Sequence, residues 1–193
     1  MQVLAPEQWD PSLQHIIDEM NGEPINIHRL LANHPPLLAA WWGYRMYFVT
    51  GGDLQKREAE LVILRVAVLM KSWYEWAAHV DRGLASGLLI EEIECVASGP
   101  EAVSWSEKDR ALLRSVDALV NERCIQPDLR LQLQRHFDER QVLDIISIQG
   151  MYVTIACILD SWPIEIEDEV LRRIPTSVSE QSFADLISAA NRD

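Results

Sequence analysis

The chain has 193 residues, 48% of them hydrophobic and 24% charged, which is an ordinary balance for one globular domain. Its formal net charge of −13 argues against nucleic acid and anionic membrane as partners, because both attract a basic surface. The cysteines Cys95, Cys124 and Cys157 match no metal knuckle or redox pair in their spacing and are interpreted as free core thiols. Free thiols, together with an N-terminus that lacks a signal-peptide pattern, predict a cytoplasmic protein.

Helix signals follow one another along the chain, and no segment alternates with the two-residue period of a strand. Asp10 followed by Pro11 is a helix start, and Asp53 is the expected N-cap of a helix that ends near Lys71. A long apolar helix, expected to be central, covers residues 139–159. These patterns predict an all-α fold of about eight to ten helices. The chain is expected to form a single domain, 1–193, with helical extensions at 1–24 and 166–193.

Two of the expected helices carry more apolar surface than a monomer of this size should expose. One covers residues 37–49 and is rich in aromatic side chains, and the other covers residues 142–159. Such surfaces predict a homo-oligomer, based on a dimer or a trimer. The apolar run at residues 61–70 is too short to span a bilayer, so no membrane partner is expected.

The polar residues of the stretch 60–79 are the candidates for chemistry. Glu75 and His79 are four residues apart and therefore share one helical face, while Glu60 lies in the preceding apolar helix. A buried carboxylate needs a partner, and an imidazole beside carboxylates is suited to general acid–base catalysis near neutral pH. We interpret His79, Glu60 and Glu75 as the candidate catalytic residues.

Structural explanations compete with this interpretation. Ser72 and Glu75 have the spacing of a capping box, His79 is also typical of a hydrogen-bonded core histidine, and Arg65 is also typical of a buried ion pair. Metal-ligand spacing and glycine-rich phosphate loops are absent from the sequence, so neither a metal nor an organic cofactor is expected.

The spacing of Glu60, Ser72, Glu75 and His79 resembles that of the carboxymuconolactone decarboxylase and AhpD-like alkylhydroperoxidase superfamily. Redox members of that superfamily place Glu, Cys-x-x-Cys and His at these positions. The flanking segments NIHRLLANHPPLLAAWWGY and HVDRGLASGLLIEEIECVASGP are also similar to the family, and the resemblance covers roughly residues 25–165. It implies an AhpD-like helical fold and self-association.

This sequence departs from the redox members because Ser72 and Glu75 stand where they have cysteines. A serine hydroxyl cannot replace a low-pKa thiolate, so peroxiredoxin-type antioxidant activity is disfavoured despite the family label. The retained Glu60 and His79 resemble the decarboxylase branch instead. The resemblance therefore implies a cofactor-free lyase that acts on a small cyclic organic acid or lactone.

The expected substrate contacts come from polar and aromatic residues around the motif and from arginines that would orient a carboxylate. They are Ser72, Tyr74, Trp76, Arg65, Arg45 and Tyr152. A second hypothesis is a non-catalytic ligand-binding or assembly protein that keeps the fold and has lost the chemistry.

Overall fold

The computed structural model describes residues 1–102 and 105–190, and these residues form eleven α-helices and no β-strand. Two short 3-10 turns, Pro6–Gln8 and Pro11–Leu13, precede the first helix. The helices are α1 Gln14–Glu19, α2 Asn26–Leu31, α3 Pro35–Thr50, α4 Lys56–Leu69, α5 Trp73–Ala85, α6 Ile90–Ser98, α7 Glu107–Glu122, α8 Pro127–Leu133, α9 Glu139–Ser161, α10 Asp168–Arg173 and α11 Glu180–Ala190. The predicted all-α class is confirmed.

The observed helices differ from the predicted ones in the positions of some helix ends and in one additional short helix. The six-residue helix α10 was not expected from the sequence. Asp53 is not the N-cap of α4, which begins at Lys56; the backbone N–H groups of Asp53 and Leu54 donate to the carboxylate of Asp144 in α9 instead. The last residues of the expected C-terminal extension, 191–193, lie outside the described residues.

Helix α4 is the most enclosed element of the fold. Every residue from 61 to 68 is buried, and the helix packs against α5, α6, α7 and α9. The expectation that α9 would be central is only partly right, because Leu143 and Ile146 on that helix are exposed. Helix α9 is long and apolar enough to cross a membrane by length and composition, but half of its apolar stretch is buried in this core.

A second, smaller core is built by the N-terminal helices. Leu13, Ile16, Leu30 and Trp42 pack there with the C-terminal half of α9. Since α9 contributes to both cores, it holds α3 at a fixed distance from α4 and α5. A space remains between α3, α4, α5 and α9.

The junction between α4 and α5 is closed by the backbone and not by the predicted capping box. Lys71 adopts a left-handed conformation (φ 56°), and the N–H groups of Lys71 and Ser72 donate to the carbonyls of Val68 and Ala67. These two bonds are the Schellman arrangement that ends helices. Ser72 stands at the N-cap of α5, but its side chain accepts no capping hydrogen bond, and Glu75 is free to turn inward.

The predicted apolar surfaces are exposed on two neighbouring parts of the molecule. Helix α3 presents Tyr44 and Tyr47 to solvent, and α9 presents Leu143. Self-association through this surface stays a prediction. The expectation of core thiols is wrong for Cys124 and Cys157, which are exposed.

Candidate functional site

His79 is the centre of a polar cluster between α4, α5 and α9. Its side chain is buried, with 3% of the residue exposed. The ring nitrogen Nδ1 lies 2.6 Å from Oε2 of Glu60, and Nη1 of Arg82 lies 3.1 Å from Nε2. The edge of the ring meets Tyr152 of α9 at a centroid distance of 4.9 Å and an interplanar angle of 90°. Three partners therefore fix the orientation of the imidazole.

The two polar partners also fix its tautomer. An ionised Glu60 carboxylate only accepts hydrogen bonds, so Nδ1 of His79 carries the proton that it donates to Glu60. A guanidinium only donates, so Nε2 accepts from Arg82 with its lone pair. The structure therefore describes a neutral imidazole in the form that serves as a general base at Nε2.

Burial shifts the ionisation of the groups in this cluster. Desolvation lowers the pKa of His79, and the Glu60 carboxylate opposes that shift while Arg82 adds to it. Desolvation raises the pKa of Glu75 to about 8, with Arg82 acting against the shift and Glu60 adding to it. The pKa of the Tyr152 hydroxyl is also raised by burial. At pH 7 the cluster therefore contains a neutral imidazole and a protonated Glu75.

Glu75 is unusual because part of its carboxyl group has no partner. The residue is buried, and its Oε2 atom has no hydrogen-bond partner among the described residues. An ionised carboxylate in this position would be costly, which agrees with the raised pKa. Glu75 lies one turn before His79 on the same face of α5.

A cavity of about 390 Å³ lies between α3, α4, α5 and α9. Glu60, His79 and Arg82 form part of its wall, and Arg45 and Tyr152 line it from α3 and α9. The remaining wall is largely apolar and includes Phe48, Ile63, Ile148 and Met151. A small cavity with apolar walls and a few convergent polar groups is typical of a site for a small organic molecule.

Arg45 enters this cavity from the aromatic helix α3. Its guanidinium carbon lies 4.9 Å from the ring centroid of Trp42, a cation–π contact that holds the side chain along the helix. Desolvation lowers the pKa of Arg45, although a guanidinium remains charged at any physiological pH. The predicted arrangement of an arginine and a histidine around one space is thus present in the fold.

Four of the predicted substrate contacts lie elsewhere. Arg65 binds the carboxylate of Asp117 at 2.6 Å and 2.8 Å, so the alternative of a buried ion pair describes it. Trp76 stacks on Phe183 of α11 at 5.0 Å between centroids. The remaining two, Ser72 and Tyr74, face a groove beneath the segment that follows α9, where the Tyr74 hydroxyl donates to Glu167.

The sequence interpretation missed two cavity residues, Arg82 and Lys56. Arg82 follows His79 by three residues, a spacing that places both on one helical face, so the signal was present. Lys56 lies at the exposed start of α4, where nothing in the pattern distinguishes it from a solvated surface lysine. Its position is a consequence of tertiary packing alone.

Neither a metal centre nor a thiol site accompanies the cavity. In the residues that the structure describes, no group of three or more His, Cys, Asp or Glu side chains is arranged to hold a metal ion. The residues that line the cavity include no cysteine.

A protein-family model matches three of the four helices that line the cavity. The model of the carboxymuconolactone decarboxylase family matches residues 35–118, which include α3, α4 and α5 with Glu60 and His79. Over this segment the chain is similar to the family. No curated protein sequence matches the chain significantly.

Solved structures extend the likeness to nearly the whole fold. The AhpD-core, peroxidase-related protein from Ralstonia eutropha JMP134 superposes with a TM-score of 0.79 at 18% identity, over 91% of this chain and 97% of that chain. A peroxidase-related protein from Silicibacter sp. TM1040 gives a TM-score of 0.75 at 18% identity, over 88% and 92% of the two chains.

A third similar structure has a bound ligand. It is a cysteine-to-alanine variant of the debrominase Bmp8 in complex with 2,3,4-tribromopyrrole, with a TM-score of 0.70 at 14% identity, over 84% of this chain and 89% of that chain. At such identities the likeness concerns the fold. The predicted AhpD-like architecture is therefore confirmed.

Proposed function

We propose that this protein is a cofactor-free, decarboxylase-like lyase that acts on a small cyclic organic acid or lactone through His79 and Glu60. The observation that carries the proposal is the oriented Glu60–His79 pair, joined at 2.6 Å, in the wall of a 390 Å³ cavity. The match of residues 35–118 to the carboxymuconolactone decarboxylase family supports the reaction class, and the complex of Bmp8 with 2,3,4-tribromopyrrole is an example of a small ring compound bound on this fold.

The proposed reaction is redox-neutral. The bond between the ring carbon and its carboxylate breaks, carbon dioxide leaves, and the electron pair passes into the conjugated lactone. One proton must then be added at carbon to give the product. His79 is neutral in the empty site, so in this proposal it takes up a proton when the acidic substrate binds and then donates that proton to carbon. Glu60 stabilises the imidazolium before the transfer.

Glu75 is the helper in this scheme. Because its pKa is about 8, the carboxyl group keeps a proton at pH 7 and stands one turn from His79 on α5. The protonated form adds no negative charge that would repel an acidic substrate. Glu75 is therefore proposed as a proton reserve for the imidazole.

Carbon dioxide release from carboxymuconolactone and from a panel of related unsaturated lactone acids tests the proposal. We expect His79→Asn to lower the rate by about 100- to 10,000-fold, the usual contribution of a general acid or base. His15→Asn, which changes an exposed histidine of α1, is the matched control and should leave the rate unchanged. Full turnover by His79→Asn, or no release from any member of the panel, would overturn the proposal.

A non-catalytic ligand-binding protein is the second candidate, and one observation favours it. Both ring nitrogens of His79 are already occupied, by Glu60 and by Arg82, so the imidazole as it stands has no free position for a substrate. In that case a cyclic acid would bind in the cavity without being converted. Peroxide-dependent turnover stays disfavoured, because the residues that line the cavity include no thiol.

A further inference from the structure

The cavity contains two guanidinium groups that lack an acidic partner. Within residues 1–102 and 105–190, no carboxylate lies within 4.0 Å of Arg45 or Arg82, whereas Arg57 and Arg65 bind carboxylates at 2.7 Å and 2.6 Å. Taking a charged group out of water without a partner is costly, and Arg45 is half-buried. Two such groups at one cavity leave room for an anion that would neutralise them.

The local charge of the cavity has the opposite sign to that of the whole protein. Arg45, Arg82 and Lys56 are the basic residues that line it, while Glu60 is the one acidic residue among the lining residues. Glu75 stands close by and is protonated at pH 7. A positive cavity in a chain with a net charge of −13 favours a small anion at this place.

Arg82 has a second effect on the site. Its Nη1 atom donates to Nε2 of His79 over 3.1 Å and so occupies the lone pair that a general base would use. The other donors of this guanidinium have no protein carboxylate to bind, as described above. An anion in the cavity would therefore compete with a single hydrogen bond to a neutral ring, whereas a carboxylate pairs opposite charges and can accept two N–H bonds from one guanidinium.

We propose that Arg45 and Arg82 bind the carboxylate of a small cyclic acid, and that this carboxylate draws Arg82 away from Nε2 of His79. The inference deepens the proposed function and rests on it for the identity of the site. In the empty protein the lone pair of His79 is covered, and the ligand itself uncovers it. Proton transfer at His79 is thereby confined to the complex with an anionic ring compound.

The consequence for the charge of His79 follows from its surroundings. The groups that face it are Arg45 from α3, Lys56 and Glu60 from α4, Glu75 and Arg82 from α5, and Tyr152 from α9. Arg82 and Arg45 both lower the pKa of His79. A bound carboxylate neutralises them, so the pKa of His79 rises when the ligand binds.

The probe for this proposal is benzoate, with benzamide as its uncharged counterpart. Histidine-selective 15N NMR of the full-length protein reports the ring nitrogens of His79 during a titration. We expect benzoate to shift the Nε2 resonance and to raise the pKa of His79, and benzamide to do neither. Two results overturn the proposal. In one, benzoate binds without changing the Nε2 resonance. In the other, benzoate does not bind at about 10 mM, a concentration at which a charge-assisted pair should give measurable occupancy.

Variants separate the roles of the two arginines. Arg45→Ala and Arg82→Ala should each weaken benzoate binding by roughly tenfold to a hundredfold, because each removes charged hydrogen bonds. Arg130→Gln changes an exposed arginine of α8 and is the matched control. In Arg82→Ala the pKa of His79 should be raised even without ligand, and benzoate should raise it less than in the wild type. Equal affinities of all three variants contradict the proposal.

The outcome can be told apart from that of the proposed reaction. If benzoate binds with the expected NMR changes but the protein releases no carbon dioxide from the lactone panel, the carboxylate site is supported and the lyase function is ruled out. If turnover requires His79 but is unaffected in Arg45→Ala and Arg82→Ala, the lyase function is supported and the carboxylate site is ruled out.

Discussion

Replacing Glu75 with glutamine removes a buried carboxyl group whose ionisation opposes folding. Its pKa is about 8 in the folded protein and near 4.5 in the unfolded chain. Between these values the folded state binds more protons than the unfolded state, so the free energy of unfolding falls as pH rises. The slope contributed by this one group is about 1.4 kcal/mol per pH unit.

The expected size of the effect follows from that interval. Relative to acidic solution, Glu75 lowers the free energy of unfolding by about 3 kcal/mol at pH 7 and by about 5 kcal/mol above pH 8. Glu75→Gln has the same shape and does not titrate. The variant should therefore gain stability over the wild type steadily from about pH 5 to pH 8.

Urea denaturation at several pH values measures this difference. Comparing slopes with pH, and not absolute stabilities, cancels any change in packing or hydrogen bonding that the amide introduces. Glu122→Gln removes an exposed carboxylate at the end of α7 and is the matched control for net charge. If the wild type and Glu75→Gln show parallel pH profiles, Glu75 is not a protonated buried group and the account of the cluster is wrong.

Other predictions concern the framework of the site and are read from urea or thermal denaturation. Arg65→Ala should lower the free energy of unfolding by about 3–5 kcal/mol, because it leaves Asp117 and the buried carbonyl of Val96 unpaired. Adding Asp117→Ala should recover part of that loss. Purely additive losses in the double variant would contradict the pairing. Lys71→Gly should raise stability by about 1 kcal/mol, since glycine adopts the left-handed conformation without strain, whereas Lys71→Ala should bring no such gain. His28 is buried against Trp41 and Trp42, and desolvation holds its pKa well below 6.5. Below pH 6.5 the unfolded chain therefore binds the additional proton at this residue, so the contribution of His28 to the free energy of unfolding should fall on acidification. His28→Phe should lose this contribution and gain stability relative to the wild type as the pH falls below 6.5; parallel profiles of the two proteins would contradict it.

The sequence predicted the helices well because each carries local signals. Pro127 and the proline pair at the start of α3 mark helix starts, and the glycines after α3 mark its end; about eight to ten helices were expected, and the described residues form eleven. The exception, α10, has one buried residue, Val170, and no apolar periodicity. Its position depends on the core that it covers, which no local pattern describes.

The candidate site was predictable only in part, and Glu75 shows why. Ser72 and Glu75 have the spacing of a capping box, and that spacing also places Glu75 on the face of His79. Which role applies depends on how α4 ends. The left-handed Lys71 closes α4 through the backbone, and Glu75 turns into the protein instead of capping α5.

The meeting of distant residues was the least predictable part. Arg45 and Tyr152 reach the cavity because α3 packs on α9 in the smaller core while α9 also packs on α4 in the larger core, and this arrangement is a property of packing. Arg65 was also predicted as a substrate contact, with a buried ion pair as the favoured alternative. It faces Asp117 because the buried side of α4 at that turn meets α7.

The central claim is that Glu60 and Arg82 hold His79 as a neutral, oriented imidazole at the wall of the cavity. The most direct measurement is histidine-selective 15N NMR of the ligand-free protein at pH 7. The account predicts one ring with a protonated Nδ1 and an unprotonated Nε2, lost in His79→Asn, with Nδ1 shifted in Glu60→Gln. An imidazolium, or a ring protonated at Nε2, would contradict it.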